Sequence, residues 1–229
     1  CETLGVLGAF LIWLRRGRRR DEADERAWLD ANYALQNWWC RSLKGWAGRL
    51  FRLSFEIEGE EALDGDGALL LLRHTSIGDT FIPVVFYNWA RGRRLRFVLK
   101  RELLLDPCLD IVGNRLPNYF ADRSSTNTAR EAEGVKALLD DLPSDSGVLI
   151  YPEGTRFSPA KRAAILVCFN DPAATENLAR AERWPNLLPP RPAGTLALLE
   201  ANHGRDLLFC AHTGFEGSAY FARLFNGGW

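Results

Sequence analysis

The chain has 229 residues, enough for one domain of ordinary size with a substantial core, and carries no net formal charge. Neither its charge nor its composition points to a nucleic-acid partner, and none is expected. Five cysteines (Cys1, Cys40, Cys108, Cys168, Cys210) are scattered, odd in number and without a CxxC pair, which argues against a disulfide framework or a zinc site and for a reducing cytoplasmic setting.

Residues Thr3 to Leu14 are almost wholly apolar and run straight into Arg15-Arg16-Gly17-Arg18-Arg19-Arg20. Twelve residues fall short of the roughly 20 that cross a bilayer. The chain contains no methionine, even at position 1, and it stops at Asn226-Gly227-Gly228-Trp229 without an evident terminal element. We therefore expect truncation at both ends, with residues 1–20 as the remnant of a membrane anchor and its basic flank. An apolar stretch followed by arginines places the block and the domain behind it on the cytoplasmic face of the cell membrane. A signal peptide has its charges before the apolar run instead; a buried terminal helix is the other reading.

Asp24 to Phe51 has helical periodicity, with Trp28, Leu35, Trp39, Leu43, Trp46 and Leu50 on one stripe. Trp28, Trp38, Trp39 and Trp46 crowd this stretch, and tryptophan favours a membrane interface because an apolar ring carries an N–H that seeks a wet partner. Residues 21–51 are expected to form an amphipathic, tryptophan-rich segment against the interface.

From residue 52 onward strand-like and helix-like segments alternate. The strand candidates are Leu53–Ile57, Ala68–Leu72, Leu95–Leu99, Asn118–Ala121, Gly147–Tyr151 and Leu207–Ala211, with Ala163–Phe169 ambiguous between strand and helix. Helix candidates are Thr80–Ala90, Glu102–Ile111, Thr126–Asp141, Thr175–Arg183 and Ala193–Ala201. The alternation predicts an α/β fold, a mixed and largely parallel sheet flanked by helices, with the N-terminal helical segment on the membrane. Arginines cluster at Arg91, Arg93, Arg94 and Arg96, where they suit anionic lipid headgroups or the phosphates of a donor.

Two strand ends carry chemistry. After Ala68–Leu72 comes Arg73-His74-Thr75-Ser76-Ile77-Gly78-Asp79. A carboxylate at the start of the following helix reaches back to one ring nitrogen of His74 and fixes the tautomer, so that the other nitrogen can take a proton. After Val148-Leu149-Ile150 comes Tyr151-Pro152-Glu153-Gly154-Thr155-Arg156. Gly154 permits close backbone approach, Thr155 offers a hydroxyl and Arg156 a phosphate-sized fork. Glu153 suits either a grip on the arginine or a hydrogen bond from a substrate hydroxyl. Ligands of open α/β sheets bind at the carboxyl ends of strands, where both segments lie. His203 and His212 stand outside these segments and read as structural or surface residues.

His74-x4-Asp79 followed by Tyr-Pro-Glu-Gly-Thr-Arg resembles the glycerolipid acyltransferases of the 1-acylglycerol-3-phosphate type. Phe120-Ala121-Asp122-Arg123 resembles the family block whose arginine binds the acceptor phosphate, and Leu187-Leu188-Pro189-Pro190-Arg191 its proline-centred fourth block. Arg73 departs from the family's usual asparagine. The resemblance covers roughly Leu50 to Phe215, and residues 52–229 are the expected acyltransferase domain. It implies acyl transfer from acyl-CoA or acyl carrier protein to the free hydroxyl of a lysophosphatidate-like acceptor in phospholipid synthesis. His74 would be the general base and Asp79 its orienting acid, with Glu153, Gly154, Thr155, Arg156 and Arg123 binding substrate. Membrane lipids would be partners, and no metal or cofactor beyond the acyl co-substrate is called for. A hydrolase using the same pair on water, or a catalytically silent lipid-binding domain, are the alternatives.

Overall fold

The computed structural model describes residues 1–16, 21–76, 78–80, 82–122, 125–168 and 175–215. Five strands, β1 (Leu69–Leu72), β2 (Leu95–Lys100), β3 (Tyr119–Ala121), β4 (Gly147–Ile150) and β5 (Leu207–Cys210), form one sheet in the order β3-β2-β4-β1-β5. The expected mixed sheet is entirely parallel in its described pairings. Parallel strands need covering on both faces. On one face Leu70, Leu72, Phe97 and Leu149 pack with Cys40, Val84, Val85 and Tyr87. On the other, Leu69, Val148 and Ile150 pack with Val135, Leu138 and Leu198. Successive residues of β1 and β4 thus alternate between two cores, which explains why the leucine run carries no polar positions.

The helices supplying those cores are α2 (Glu22–Phe51) and a π-helical turn (Val84–Trp89) on the first face, and α4 (Thr128–Lys136) and α7 (Pro192–Glu200) on the second. Helix α2 starts where Asp21 accepts from the Asp24 amide at 2.8 Å. It buries Asn32, Tyr33 and Cys40 but leaves Trp38, Trp46 and Leu50 exposed, so the expected tryptophan stripe divides between core and surface.

Helix α1 (Glu2–Arg15) packs against α2 and against α3 (Pro107–Gly113) with its small residues inward. A Cβ on Gly5 would stand 3.1 Å from Cys108 Sγ, and one on Gly8 2.9 Å from Leu35 Cδ1. Leu4, Leu7, Phe10, Leu11, Trp13 and Leu14 consequently face outward. Among the described residues no helix is long and apolar enough to cross a membrane.

Two expected elements change and two are refined. Leu53–Ile57 forms no strand: it pairs with no neighbour, and Phe55 is fixed by its ring against Phe86 and Phe215 instead. The helix expected over Glu102–Ile111 breaks at Pro107, which has no N–H for an interior turn. A 3₁₀ segment (Arg101–Leu105) ends there, and α3 begins afresh with Asp106 accepting from the Cys108 and Leu109 amides at 2.9 and 3.1 Å. Of the ambiguous run, 163–167 lie in α5 (Pro159–Val167), started by the Ser158 cap and Pro159 at the first helical position; Cys168 caps it, and Phe169 lies outside the described residues. The helix expected over Thr80–Ala90 is present at residues 82–91, with the π-helical turn inside it, after a 3₁₀ turn (Gly78–Thr80); residue 81 lies outside the described residues. Helix α6 (Thr175–Glu182) lies within its expected span.

Candidate active site

Strand register brings distant motifs together. Leu71 pairs with Ile150, and His74 and Glu153 each lie three residues further on. Leu72 pairs with Cys210, and His74 and His212 each lie two residues further on. The carboxyl ends of β4, β1 and β5 therefore set Glu153, His74 and His212 side by side.

His74 Nδ1 lies 2.9 Å from Asp79 Oδ1. Asp79 is wholly buried, and its Oδ2 accepts from the Thr75 amide at 2.6 Å and the Ser76 amide at 2.8 Å. Burial alone would raise the pKa of this carboxyl. Hydrogen bonds from His212 and His74, the charge on His74 and the Ser76 amide outweigh it and hold the group well below the ordinary carboxylate range. An ionised carboxylate only accepts, so Nδ1 of His74 carries the proton and Nε2 is left as the basic nitrogen. Tyr151 stacks obliquely on the imidazole with ring centroids 4.3 Å apart, and its hydroxyl donates to the Asp79 carbonyl at 3.4 Å. Burial pushes the Tyr151 hydroxyl well above its usual pKa, so it stays protonated.

Glu153 is also buried, and both its oxygens are engaged by backbone: Oε1 by the His74 amide at 3.1 Å, Oε2 by the Leu188 amide at 2.9 Å. It is a brace across three segments. Burial raises its pKa, and those two amides together with Arg73 and His74 offset part of the rise. Gly154 adopts a φ of +66°, and a Cβ there would meet the Arg191 side chain at 2.8 Å. Its own N–H donates to the Tyr151 carbonyl at 2.9 Å and is thereby occupied. Arg191 N donates to the Pro152 carbonyl at 2.8 Å, tying the proline-centred block to the Glu-Gly-Thr-Arg turn.

Thr155 and Arg156 follow on this turn, and Lys161 of α5 joins them. Its ammonium donates to Thr155 Oγ1 at 3.0 Å and to the Arg156 carbonyl at 2.9 Å. Arg123 lies outside the described residues.

Sequence reasoning missed two site residues. His212 sits beside the dyad, 3.3 Å from Asp79 Oδ2, not apart from it. Its signal was present: like His74, it closely follows an apolar strand. Lys161 could have been suspected from its place one turn inside a capped helix directly after Arg156.

The clustered arginines have partners within the chain. Arg93 donates to the carbonyls of Leu63 and Asp64 at 2.6 and 2.8 Å, and Arg96 to those of Leu138 and Asp140 at 3.0 and 2.6 Å. Arg91 holds Glu60, Asp64 and the Phe86 carbonyl, and Arg94 holds Asp30. Arg91, Arg93 and Arg96 thus hold backbone carbonyls, and Arg94 pairs with Asp30 of α2.

Residues 54–183, more than half of the chain, match the sequence profile of the family described as Acyltransferase. No curated protein and no solved structure matches the chain.

Proposed function

The chain belongs to the Acyltransferase family, and within it we propose a glycerolipid enzyme that moves an acyl group from acyl-CoA or acyl carrier protein to the free hydroxyl of a lysophosphatidate-like acceptor. The observation that carries this reading is the His74–Asp79 contact at 2.9 Å, made at a strand end beside the Glu-Gly-Thr-Arg turn. A thioester is already activated, so the enzyme has only to position and sharpen a hydroxyl. In this mechanism His74 Nε2 takes the hydroxyl proton as the oxygen attacks the thioester carbonyl, and Asp79 stabilises the imidazolium. Collapse of the tetrahedral intermediate breaks the C–S bond, and the imidazolium returns the proton to the departing thiolate.

Ser76 argues against a covalent acyl-enzyme. It is completely buried, and its Oγ accepts from the Asp79 amide at 3.3 Å. Arg156 and Lys161, with Arg123 as a further candidate, supply the cationic groups for an acceptor phosphate, converting binding energy into orientation. The Tyr-Pro-Glu-Gly-Thr-Arg turn offers Gly154, Thr155 and Arg156 toward the same acceptor, with Glu153 bracing them. Neither metal nor cofactor has a step in this scheme.

The exposed apolar side of α1, with Trp38, Trp46 and Leu50 of α2, supports seating at the cytoplasmic face of a membrane, from which both lipid substrates would enter. Acyl transfer from acyl-CoA to lysophosphatidate in phospholipid vesicles, comparing wild type with His74→Ala, tests the reading. We expect turnover to fall by about 10²- to 10⁴-fold with the fold retained. Full turnover in His74→Ala, or fatty acid release that ignores the acceptor, overturns it.

A further inference from the structure

His212 is bound into the site from both directions. Its Nε2 lies 3.2 Å from the Arg73 carbonyl and 3.3 Å from Asp79 Oδ2. Both neighbours only accept, so Nε2 carries the proton: it donates to the Arg73 carbonyl and lies within ion-pair distance of Asp79 Oδ2. In return, the Arg73 guanidinium donates to the His212 carbonyl at 2.7 Å and to the Asn186 carbonyl at 3.0 Å. The Arg73 amide continues the β1–β5 ladder to Cys210 at 3.0 Å. The loop after β5 is thus locked against the first residue of the His74 loop, with the imidazole directed at the carboxylate.

The other ring nitrogen gives independent evidence. Nδ1 of His212 is buried and has no hydrogen-bond partner among the described residues. The ring stands edge-on to Phe215, with centroids 5.6 Å apart and planes at 80°. An apolar side chain would fill this place without leaving a polar atom unpaired, and an unsatisfied buried acceptor is costly. What only the histidine supplies here is an Nε2–H set between the Arg73 carbonyl and Asp79 Oδ2.

Resting on the proposed function, we infer that His212 is a positioning residue for acyl transfer: its Nε2–H holds Asp79 Oδ2 so that Oδ1 stays on His74 Nδ1. The three groups form a chain, His212 to Asp79 to His74, in which the carboxylate is gripped from both sides. Two consequences follow. Without the His212 donor the carboxylate is less firmly aimed. It also concentrates more negative charge on His74, which then holds its proton to higher pH. Among the described residues, the charged and titratable groups around the chain are Arg73, Glu153, Tyr151 and Cys210, and none of them is altered by the change.

The test compares wild type, His74→Ala, His212→Leu and His212→Gln with lysophosphatidate and acyl-CoA in phospholipid vesicles. It also follows the imidazole nitrogens by ¹⁵N NMR through a pH titration. The Gln amide stands where Nε2 stood and can still donate to Asp79. We expect His212→Leu to lose about 10- to 100-fold in kcat, the range that one hydrogen bond to a charged group represents, with KM unchanged. The acidic limb of the rate profile and the His74 titration should both move to higher pH, and His212→Gln should recover most of both effects. If the Leu variant does not fold, His212→Asn replaces it, because its shorter amide cannot reach Asp79.

A lower kcat with an unmoved acidic limb, an unmoved His74 titration and no recovery by Gln would reduce His212 to a filler and overturn the inference. Wild-type behaviour of His212→Leu beside an inactive His74→Ala overturns the inference alone. An active His74→Ala instead overturns the base mechanism, while the NMR titration still reports on the His212–Asp79–His74 chain.

Discussion

The two ends of the sheet solve the same problem with opposite charges. At the carboxyl end, buried carboxylates collect backbone N–H groups: Asp79 takes those of Thr75 and Ser76, and Glu153 those of His74 and Leu188. At the amino end, guanidinium groups collect backbone carbonyls. Arg205 alone donates to Leu142, Pro143, Ser144, Ser146 and Gly67 at 2.6–3.5 Å, and Arg93 and Arg96 do the same nearby. An arginine stays charged at any pH a protein survives, so its staples are permanent. A carboxylate can orient a histidine and respond to protons. The end where we propose proton transfer uses carboxylates and histidines, with Arg73 among them as a staple.

Asp79→Asn should break the comparison most strongly. An amide at Asp79 turns one acceptor into a donor, and kcat in the acyl-transfer assay should fall by about 10³-fold or more. Stability should show the linkage directly. The folded pKa of Asp79 is depressed, so its stabilisation is fully present above the unfolded value of about 3.9 and is lost as pH falls toward the folded value. Urea unfolding should therefore separate wild type from Asp79→Asn at neutral pH, and the gap should close in acid. A gap that persists unchanged in strong acid contradicts the ionised carboxylate.

Arg205→Ala should produce the reverse profile. We expect a loss of about 2–4 kcal/mol in urea unfolding, because several carbonyls lose their donor at once, while kcat of the folded protein is unchanged. A large loss of kcat there would show that the two ends are coupled.

Glu153→Gln lies between the two. The amide sets a donor against one backbone N–H, and we expect about 1–3 kcal/mol of destabilisation near neutral pH. Glu153 has a raised folded pKa, so in wild type its contribution becomes less favourable as pH rises through that value. Mild acidification toward the ordinary carboxylate range should thus favour wild type further over the Gln variant. The smallest effect is expected from Arg94→Ala, whose ion pair with Asp30 is substantially exposed on both sides. A change of about 1 kcal/mol or less, fading in high salt, is the expected outcome of its unfolding curve.

The Leu70-Leu71-Leu72 run, the His-x4-Asp spacing and the Glu-Gly-Thr-Arg turn were legible as strand, tautomer-fixing pair and strand-end turn because each is a local relation. Pro107 was legible too and should have divided the Glu102–Ile111 helix, since a proline acts on its own backbone wherever it sits. The apolar length of 163–169 could not choose its own element; the Ser158 cap and Pro159 chose for it.

By itself, then, the sequence determined the alternating α/β pattern, the His74–Asp79 pair and the family. Those rest on contacts between residues a few positions apart. Only the tertiary structure decided that the described strand pairings are all parallel, that Glu153 braces backbone, that Arg91, Arg93 and Arg96 hold backbone carbonyls, and that His212 meets Asp79 across 133 positions of chain. Each of those depends on which strands become neighbours and in what register, and a one-residue slip of β5 against β1 would turn His212 to the other face.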